Sequence, residues 1–208
     1  MRHSSEGRSF ALRGEYIRDR STDQANANDN QDTYVLKING ENKISENWHL
    51  IGNLNALYVD SKSIGVKDSH YVEGELGYAY RPSDSDKTIG LLSYTFLHDQ
   101  PAAGQVNYDG DTDGAGQTSH ILNAFLSRDL NEHWTISGKY GVRYRTLAAT
   151  QDTDEVTSLS QLGIVRADYH LTHKWDAMAE FRGMWHNNSS SEFSTLLGVT
   201  RQVNTNLR

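Results

Sequence analysis

The sequence predicts an all-β protein, an antiparallel up-and-down transmembrane β-barrel of about ten strands that forms one domain over residues 1–208. First, apolar residues alternate with polar ones through most of the chain, the period of a strand rather than of a helix. Second, the segments between these runs alternate between short and long. Third, aromatic residues make up 10 % of a chain with a mean hydropathy of −0.69. No apolar run approaches the ~20 residues of a membrane-spanning helix, whereas a barrel strand needs an apolar residue only at every second position.

The alternation is clearest from Trp134 and from Trp175, where six successive alternate positions carry no charge and the interleaved positions collect Lys, Arg, Asp and Glu. The same pattern, less regular, marks the other strands. In the last of them either set of alternate residues suits the outer face. In chain order the predicted strands lie around residues 10–16, 34–41, 48–58, 72–81, 92–96, 122–126, 134–145, 163–170, 175–186 and 193–203.

Residues outside these runs complete the predicted domain. Residues 1–7 are expected to be a flexible leader. The last residues, Thr205 to Arg208, have the character of a turn that leads into a further strand, so ten is a lower bound and the barrel is expected to be part of a larger one. A soluble sandwich or solenoid is the alternative fold, but strands of about a dozen residues, when tilted, are long enough to cross a bilayer.

Short connections near 42–47, 82–87, 130–133 and 172–174 are predicted to be periplasmic, and long polar segments at 20–32, 60–69, 98–117 and 146–157 to be extracellular. Trp48, Trp134 and Trp175 each follow a short connection, which predicts one aromatic girdle at a membrane–water boundary. Tyr58, Tyr144 and Trp185, late in the same strands, predict the opposite girdle.

The positions between the outward residues carry charges of both signs and are predicted to face the lumen. Two interpretations stay open: an ion-paired interior that fixes the barrel shape, or an ion-selective pore with a basic ladder on one strand. The ladder would be Lys139, Arg143 and Arg145, and the other lumen charges are Arg13, Glu15, Lys37, Glu73, Glu75, Arg166, Asp168, Glu180 and Arg182.

Few residue patterns suggest other chemistry. Asp109, Asp111 and Asp113 precede Gly114 as in the first half of a calcium loop, but position 120 is His where that loop needs Glu, so at most weak Ca²⁺ binding is expected. The dipeptide His98-Asp99 lies at the expected outer rim and suggests a third alternative, an outer-membrane hydrolase. No matching partner motif accompanies it, so we expect no enzyme and no cofactor. The net charge of −7 argues against a nucleic-acid partner.

Two segments resemble the C-terminal barrel regions of large proteobacterial outer-membrane proteins. They are Leu76-Gly77-Tyr78-Ala79-Tyr80-Arg81-Pro82, and Arg166-Ala167-Asp168-Tyr169-His170 with the following His173-Lys174-Trp175-Asp176-Ala177. The resemblance implies a barrel in the outer membrane of a Gram-negative bacterium, in contact with lipid and lipopolysaccharide and inserted by the barrel assembly machinery. It carries no catalytic residues. Such barrels usually end in an aromatic residue, which this chain lacks at Arg208.

The function expected from these observations is that of a structural or anchoring membrane domain with acidic extracellular loops. The alternative is a porin-like channel for ions or small solutes.

Overall fold

The structure is a computed structural model and describes residues 2–20, 30–62, 67–82, 87–102, 114–150, 154–172 and 174–201. Within these ranges every regular element is a β-strand. In chain order they are β1 (Arg2–Ser5), β2 (Arg8–Asp19), β3 (Gln31–Lys43), β4 (Trp48–Ser61), β5 (Ser69–Tyr80), β6 (Thr88–Gln100), β7 (Gln117–Asp129), β8 (Trp134–Leu147), β9 (Val156–Thr172), β10 (Trp175–His186) and β11 (Glu192–Arg201).

These strands form one eleven-stranded sheet in which each strand pairs antiparallel with its neighbours in the chain. The prediction of an all-β, antiparallel up-and-down arrangement is therefore confirmed. The sheet is open: β1 and β11 are its edges, and no pairing joins them among the described residues. No helix in the described part of the chain has the length and hydrophobicity needed to cross a membrane.

The first strand was not predicted. Residues Arg2–Ser5, expected to belong to a flexible leader, pair with β2 from Arg2 opposite Ala11 to Ser5 opposite Arg8. The turn between them is Glu6-Gly7, and Gly7 has a φ of 74°, which glycine adopts without the steric cost that a Cβ atom brings. The leader prediction is wrong for this segment, and the described sheet has eleven strands rather than ten.

Two of the short connections share a geometry that fixes the tryptophans. The amide of Ile44 donates to the carbonyl of Trp48 at 2.8 Å, and the amide of Leu130 donates in the same way to Trp134, also at 2.8 Å. In the second turn the side-chain oxygen of Asn131 also accepts from the amides of His133 and Trp134. These bonds close each turn at the residue where the next strand begins, so both tryptophans are the first residue of a strand and lie at the same end of the sheet. We call this end the turn end and the other the loop end.

The register between strands gives the sheet two chemically different faces. The face that carries Phe10 on β2 aligns it with Gly40, Gly52 and Leu76 on the next three strands, and we call it the apolar face. The opposite face aligns Arg13 with Lys37, Asn55 and Glu73, and we call it the charged face. On β11, where the sequence left the orientation open, the pairing of Phe193 with Gly183 and of Leu197 with Ala179 places both on the apolar face.

Burial is reversed relative to a soluble protein. Apart from Asp32 at the loop end, the described side chains that are nearly inaccessible lie on the charged face: Ala79 at 3 % exposure, Ser93, Ser119 and Glu180. A single-layer sheet has no second layer that could cover the apolar face, so its hydrophobic side chains stay exposed.

Candidate functional site

The largest candidate surface in the described part of the chain is the apolar face, which continues from β2 to β11. Large hydrophobic side chains are exposed along it, with Leu76 at 63 % and Leu197 at 75 %. Other exposed members are Tyr34, Leu36, Tyr78, Leu92, Tyr94, Leu122, Leu126, Ile136, Tyr140, Val165, Phe181, Phe193 and Val199. Soluble monomers rarely expose one contiguous apolar patch of more than a few hundred square ångströms. A surface that crosses ten strands needs an apolar medium or a partner to cover it.

An aromatic row borders this face at the turn end. The ring centroid of Trp48 lies 5.0 Å from that of Tyr80, and that of Trp134 lies 4.6 Å from that of Tyr169. The guanidinium of Arg201 lies 5.3 Å from the centroid of the Trp175 ring, within the range of a cation–π contact. The structure thus places the three predicted tryptophans in one row, and it adds Tyr80 and Tyr169, which were not predicted.

A second aromatic row borders the apolar face at the loop end. Tyr16, Tyr34 and Tyr58 follow one another across β2, β3 and β4, with centroid distances of 5.2 Å and 6.2 Å. Tyr144 on β8 and Trp185 on β10 lie on the same face near the same end. Tyr16 and Tyr34 were missed because their alignment with Tyr58 depends on the register between strands.

The two rows have a constant separation along the strands. Trp48 and Tyr58, Trp134 and Tyr144, and Trp175 and Trp185 are each ten residues apart on one strand. Ten is an even number, so in a strand both members of each pair face the same side. The rows therefore bound a band of constant height on the apolar face.

Two glycines leave the space in which the Trp185 indole lies against the sheet. A Cβ atom at Gly183 would lie 2.7 Å from the indole, and one at Gly163 would lie 3.3 Å from it. The missing side chains leave room for the indole to lie over the backbone, where it also meets Phe193 at a centroid distance of 5.7 Å. Glycine at these positions is a packing requirement of the loop-end row.

Charged groups begin directly beyond the tyrosines of the loop end. The carboxylate of Asp32 accepts from Arg20 at 2.6 Å and from the Tyr16 hydroxyl at 3.1 Å. Asp68, outside the strands, accepts from the Tyr58 hydroxyl at 2.5 Å and from the amide of Ser61 at 3.0 Å. These two hydrogen bonds stabilise the carboxylate and lower the pKa of Asp68. The tyrosines therefore connect an apolar band to an ionic border.

The predicted lumen charges all lie on the charged face, and those of β9 and β10 form one cluster. Glu180 is 7 % exposed and stands opposite Arg166 in the register. Arg166 binds both oxygens of Asp168, at 2.7 Å and 2.8 Å, and reaches Glu180 at 3.9 Å. Arg182 forms a second ion pair with Glu180.

The other predicted lumen charges have separate partners. Arg13 pairs with Glu15 on the same strand, Glu75 accepts from the amide of Asn53 at 3.2 Å, and Glu73 accepts from the Tyr71 hydroxyl. Arg143 donates to Ser119, which is fully buried. No ion pair joins Lys37, Lys139 or Arg145 to a carboxylate within the described ranges. The charges are thus small groups on one face rather than a single connected network.

The predicted calcium loop and the predicted hydrolase pair are not seen as sites in the described residues. Asp109, Asp111 and Asp113 lie outside them. His98 faces the apolar side and contacts Thr118, whereas Asp99 faces the charged side and accepts from Gln117 at 3.2 Å. Neighbouring residues of a strand point to opposite faces, so these two do not form the rim pair of a hydrolase.

One pair of side chains was missed in the sequence. The Nε2 atoms of His70 on β5 and His98 on β6 lie 3.1 Å apart. The two residues are 28 positions apart, and only the pairing of Val72 with His98 brings them together. Within the described parts of the chain no group of three His, Cys, Asp or Glu side chains is placed to hold a metal ion.

Comparison with known proteins found no relative: no family model, no curated protein and no solved structure matches the chain.

Proposed function

We propose that this chain is the membrane-spanning part of a bacterial outer-membrane β-barrel that serves as a structural or anchoring domain. The observation that carries the proposal is the exposed apolar face bounded by two aromatic rows. Lipid is the medium that suits such a face, and tryptophan and tyrosine prefer the two boundaries between lipid and water. The resemblance of its segments 76–82 and 166–177 to barrel regions of large proteobacterial outer-membrane proteins agrees with this function.

The height of the apolar band supports the proposal. Ten residues of a strand span about 33 Å at ~3.3 Å per residue. With the strand tilt of about 40° that is usual in barrels, this length corresponds to a height of about 25 Å. That height equals the ~25 Å apolar band of outer-membrane barrels.

The proposal requires the sheet to have no free edge in the membrane. Unpaired backbone N–H and C=O groups do not occur in contact with hydrocarbon, because each costs several kcal/mol. In the membrane β1 and β11 would therefore pair with each other or with further strands. The charged face, with its local ion pairs, would line the interior. Lipopolysaccharide would surround the loop end, and insertion would depend on the barrel assembly machinery.

The proposal is tested by the alternation of lipid contact along one strand. The chain has no cysteine, so a single cysteine can be introduced at each position from Ile136 to Tyr140 and labelled with an environment-sensitive fluorophore. After reconstitution into vesicles that contain brominated lipid, we expect strong quenching at 136, 138 and 140. We expect little quenching at Ser137 and Lys139.

Labels in the two ends of the sheet serve as controls for depth. The fluorescence of a label at Asn131 in a turn, and of one at Ala149 near the loop end, should be quenched by a water-soluble quencher and not by brominated lipid. Equal lipid quenching at odd and even positions of β8, or none at either, contradicts a membrane-spanning barrel.

Passage of ions is a second candidate function, and it is favoured by the bases of the charged face that have no carboxylate partner among the described residues, Lys37, Lys139, Arg143 and Arg145. Cations that line a lumen without carboxylate partners attract anions. Single-channel recording in planar bilayers distinguishes the two functions. A channel gives discrete current steps, and its selectivity for anions over cations should fall in the variant Lys139→Glu. A structural domain gives no steps.

A further inference from the structure

The pair His70 and His98 has the geometry of two ligands that share one ion. Two nitrogens at ~2.05 Å from a metal are about 2.9 Å apart at a 90° angle and about 3.3 Å apart at the tetrahedral angle. The observed separation of 3.1 Å between the two Nε2 atoms falls between these values. The ring centroids are 5.1 Å apart with an interplanar angle of 31°. Without a metal the two Nε2 atoms are at hydrogen-bond distance, so the proton between them must leave when an ion takes its place.

A neighbouring hydroxyl group fixes the orientation of one ring. Thr118 Oγ1 on β7 lies 2.9 Å from His98 Nδ1 and is positioned to accept its proton. A histidine that donates from Nδ1 keeps the lone pair on Nε2, the form that binds a metal. Metal-binding histidines usually have such a partner on the second nitrogen.

The location gives an ion access from water. His70 stands opposite Tyr58 of the loop-end aromatic row in the register, and both histidines are half-buried rather than enclosed. Water molecules can therefore complete the coordination shell.

We propose that His70 and His98 form a two-histidine transition-metal site at the loop end of β5 and β6. Imidazole nitrogens suit Cu²⁺, Ni²⁺ and Zn²⁺, and Cu²⁺ binds such ligands most strongly and accepts angles near 90°. The site binds Cu²⁺ through the Nε2 atoms of the two histidines, and water molecules supply the remaining ligands. This inference does not depend on the proposed membrane function.

The test uses the purified, tag-free full chain in detergent, titrated with Cu²⁺ in competition with a coloured chelator. His3 is replaced with alanine throughout, because an imidazole close to the amino terminus can itself bind Cu²⁺. We expect one Cu²⁺ per chain, with electron paramagnetic resonance that shows coupling to two imidazole nitrogens. His70→Ala and His98→Ala should each raise the Kd at least about tenfold, since loss of even an outer-shell partner has an effect of this size.

His120→Ala is the matched control. His120 lies on β7, on the same face, with its Nδ1 2.8 Å from the Tyr94 hydroxyl and with no histidine partner among the described residues. The Kd of this variant should equal that of the parent chain. Circular dichroism verifies that each variant keeps its β structure. A parent chain that binds no Cu²⁺, or a Kd unchanged in His70→Ala or His98→Ala, would overturn the proposal.

Discussion

Replacing Leu76 with arginine distinguishes a lipid-facing surface from one that faces water. Leu76 is 63 % exposed and lies on β5 between His70 at the loop end and Tyr80 at the turn end. It therefore occupies the middle of the apolar band. In a water-soluble sheet a substitution at so exposed a position changes the free energy of unfolding by no more than about 0.5 kcal/mol.

In a bilayer the same substitution has a much larger effect. Arginine on the lipid face of a barrel near the midplane costs about 2–4 kcal/mol. At 1.36 kcal/mol per factor of ten, this is a loss of about 30- to 900-fold in the folding equilibrium constant. The cost arises because the guanidinium must stay near hydrocarbon or distort the bilayer to reach water.

The assay is reversible unfolding in guanidinium chloride in the presence of phospholipid vesicles, followed by tryptophan fluorescence. The control is Thr95→Arg, which introduces the same charge on the charged face opposite Glu75, one residue from the register partner of Leu76. We expect a large loss of stability for Leu76→Arg and a small one for Thr95→Arg. If both variants lose less than about 0.5 kcal/mol, the apolar face does not lie in lipid.

Three further predictions concern packing, pH and ion pairs. Gly183→Ala should displace the Trp185 indole, whose atoms lie 2.7 Å from the new Cβ, and should change the near-ultraviolet circular dichroism; Gly138→Ala, whose Cβ would lie 3.9 Å from the Ile164 carbonyl, should not. The hydrogen bonds that lower the pKa of Asp68 give stability that is present above its unfolded-state pKa and is lost as the pH falls through the lowered value. The parent chain should therefore lose more stability below about pH 4 than Asp68→Asn, and parallel pH profiles would contradict this. Glu180→Gln and Arg182→Gln should each cost about 1 kcal/mol in urea unfolding, and the double variant should cost less than their sum; strict additivity would show that the pair does not interact.

The faces of the sheet could be predicted from the sequence because the period of two is a local property. The assignment of Trp134 and Tyr144 to one face, and of Lys139 and Arg143 to the other, needs only the spacing along β8. Strand ends were less accurate, since β6 continues to Gln100 through the polar residues His98 and Asp99. Backbone pairing with β7 extends the strand there although no alternation marks it.

The missed features depend on register or on very short segments. The four residues of β1 are too few to show a period, and the only local signal is Glu6-Gly7, a two-residue hairpin turn ahead of β2. The contact of His70 with His98 requires the alignment of β5 with β6, which no local pattern gives. The metal hypothesis for Asp109, Asp111 and Asp113 rests on residues outside those that the structure describes, and it stays a prediction.

The ion pairs of the charged face form both within single strands and across the sheet, as Arg81 does with Glu41 at 3.0 Å. Residues i and i+2 of a strand share a face at about 6.7 Å, a distance that arginine and glutamate can bridge. Three pairs follow this pattern: Arg13 with Glu15, Arg166 with Asp168, and Arg182 with Glu180. Only the contact of Arg166 with Glu180, at 3.9 Å, crosses between the strands of the β9–β10 cluster.

A pair within one strand does not depend on the curvature of the sheet or on what its edges join. These groups would stay neutral whether the barrel has eleven strands or more. Of the predicted lumen charges, those without an oppositely charged partner among the described residues are the bases Lys37, Lys139, Arg143 and Arg145 and the carboxylates Glu73 and Glu75, so the electrostatic field of a lumen would come from them. Because the four bases outnumber the two carboxylates, their net positive charge would make any open pore prefer anions.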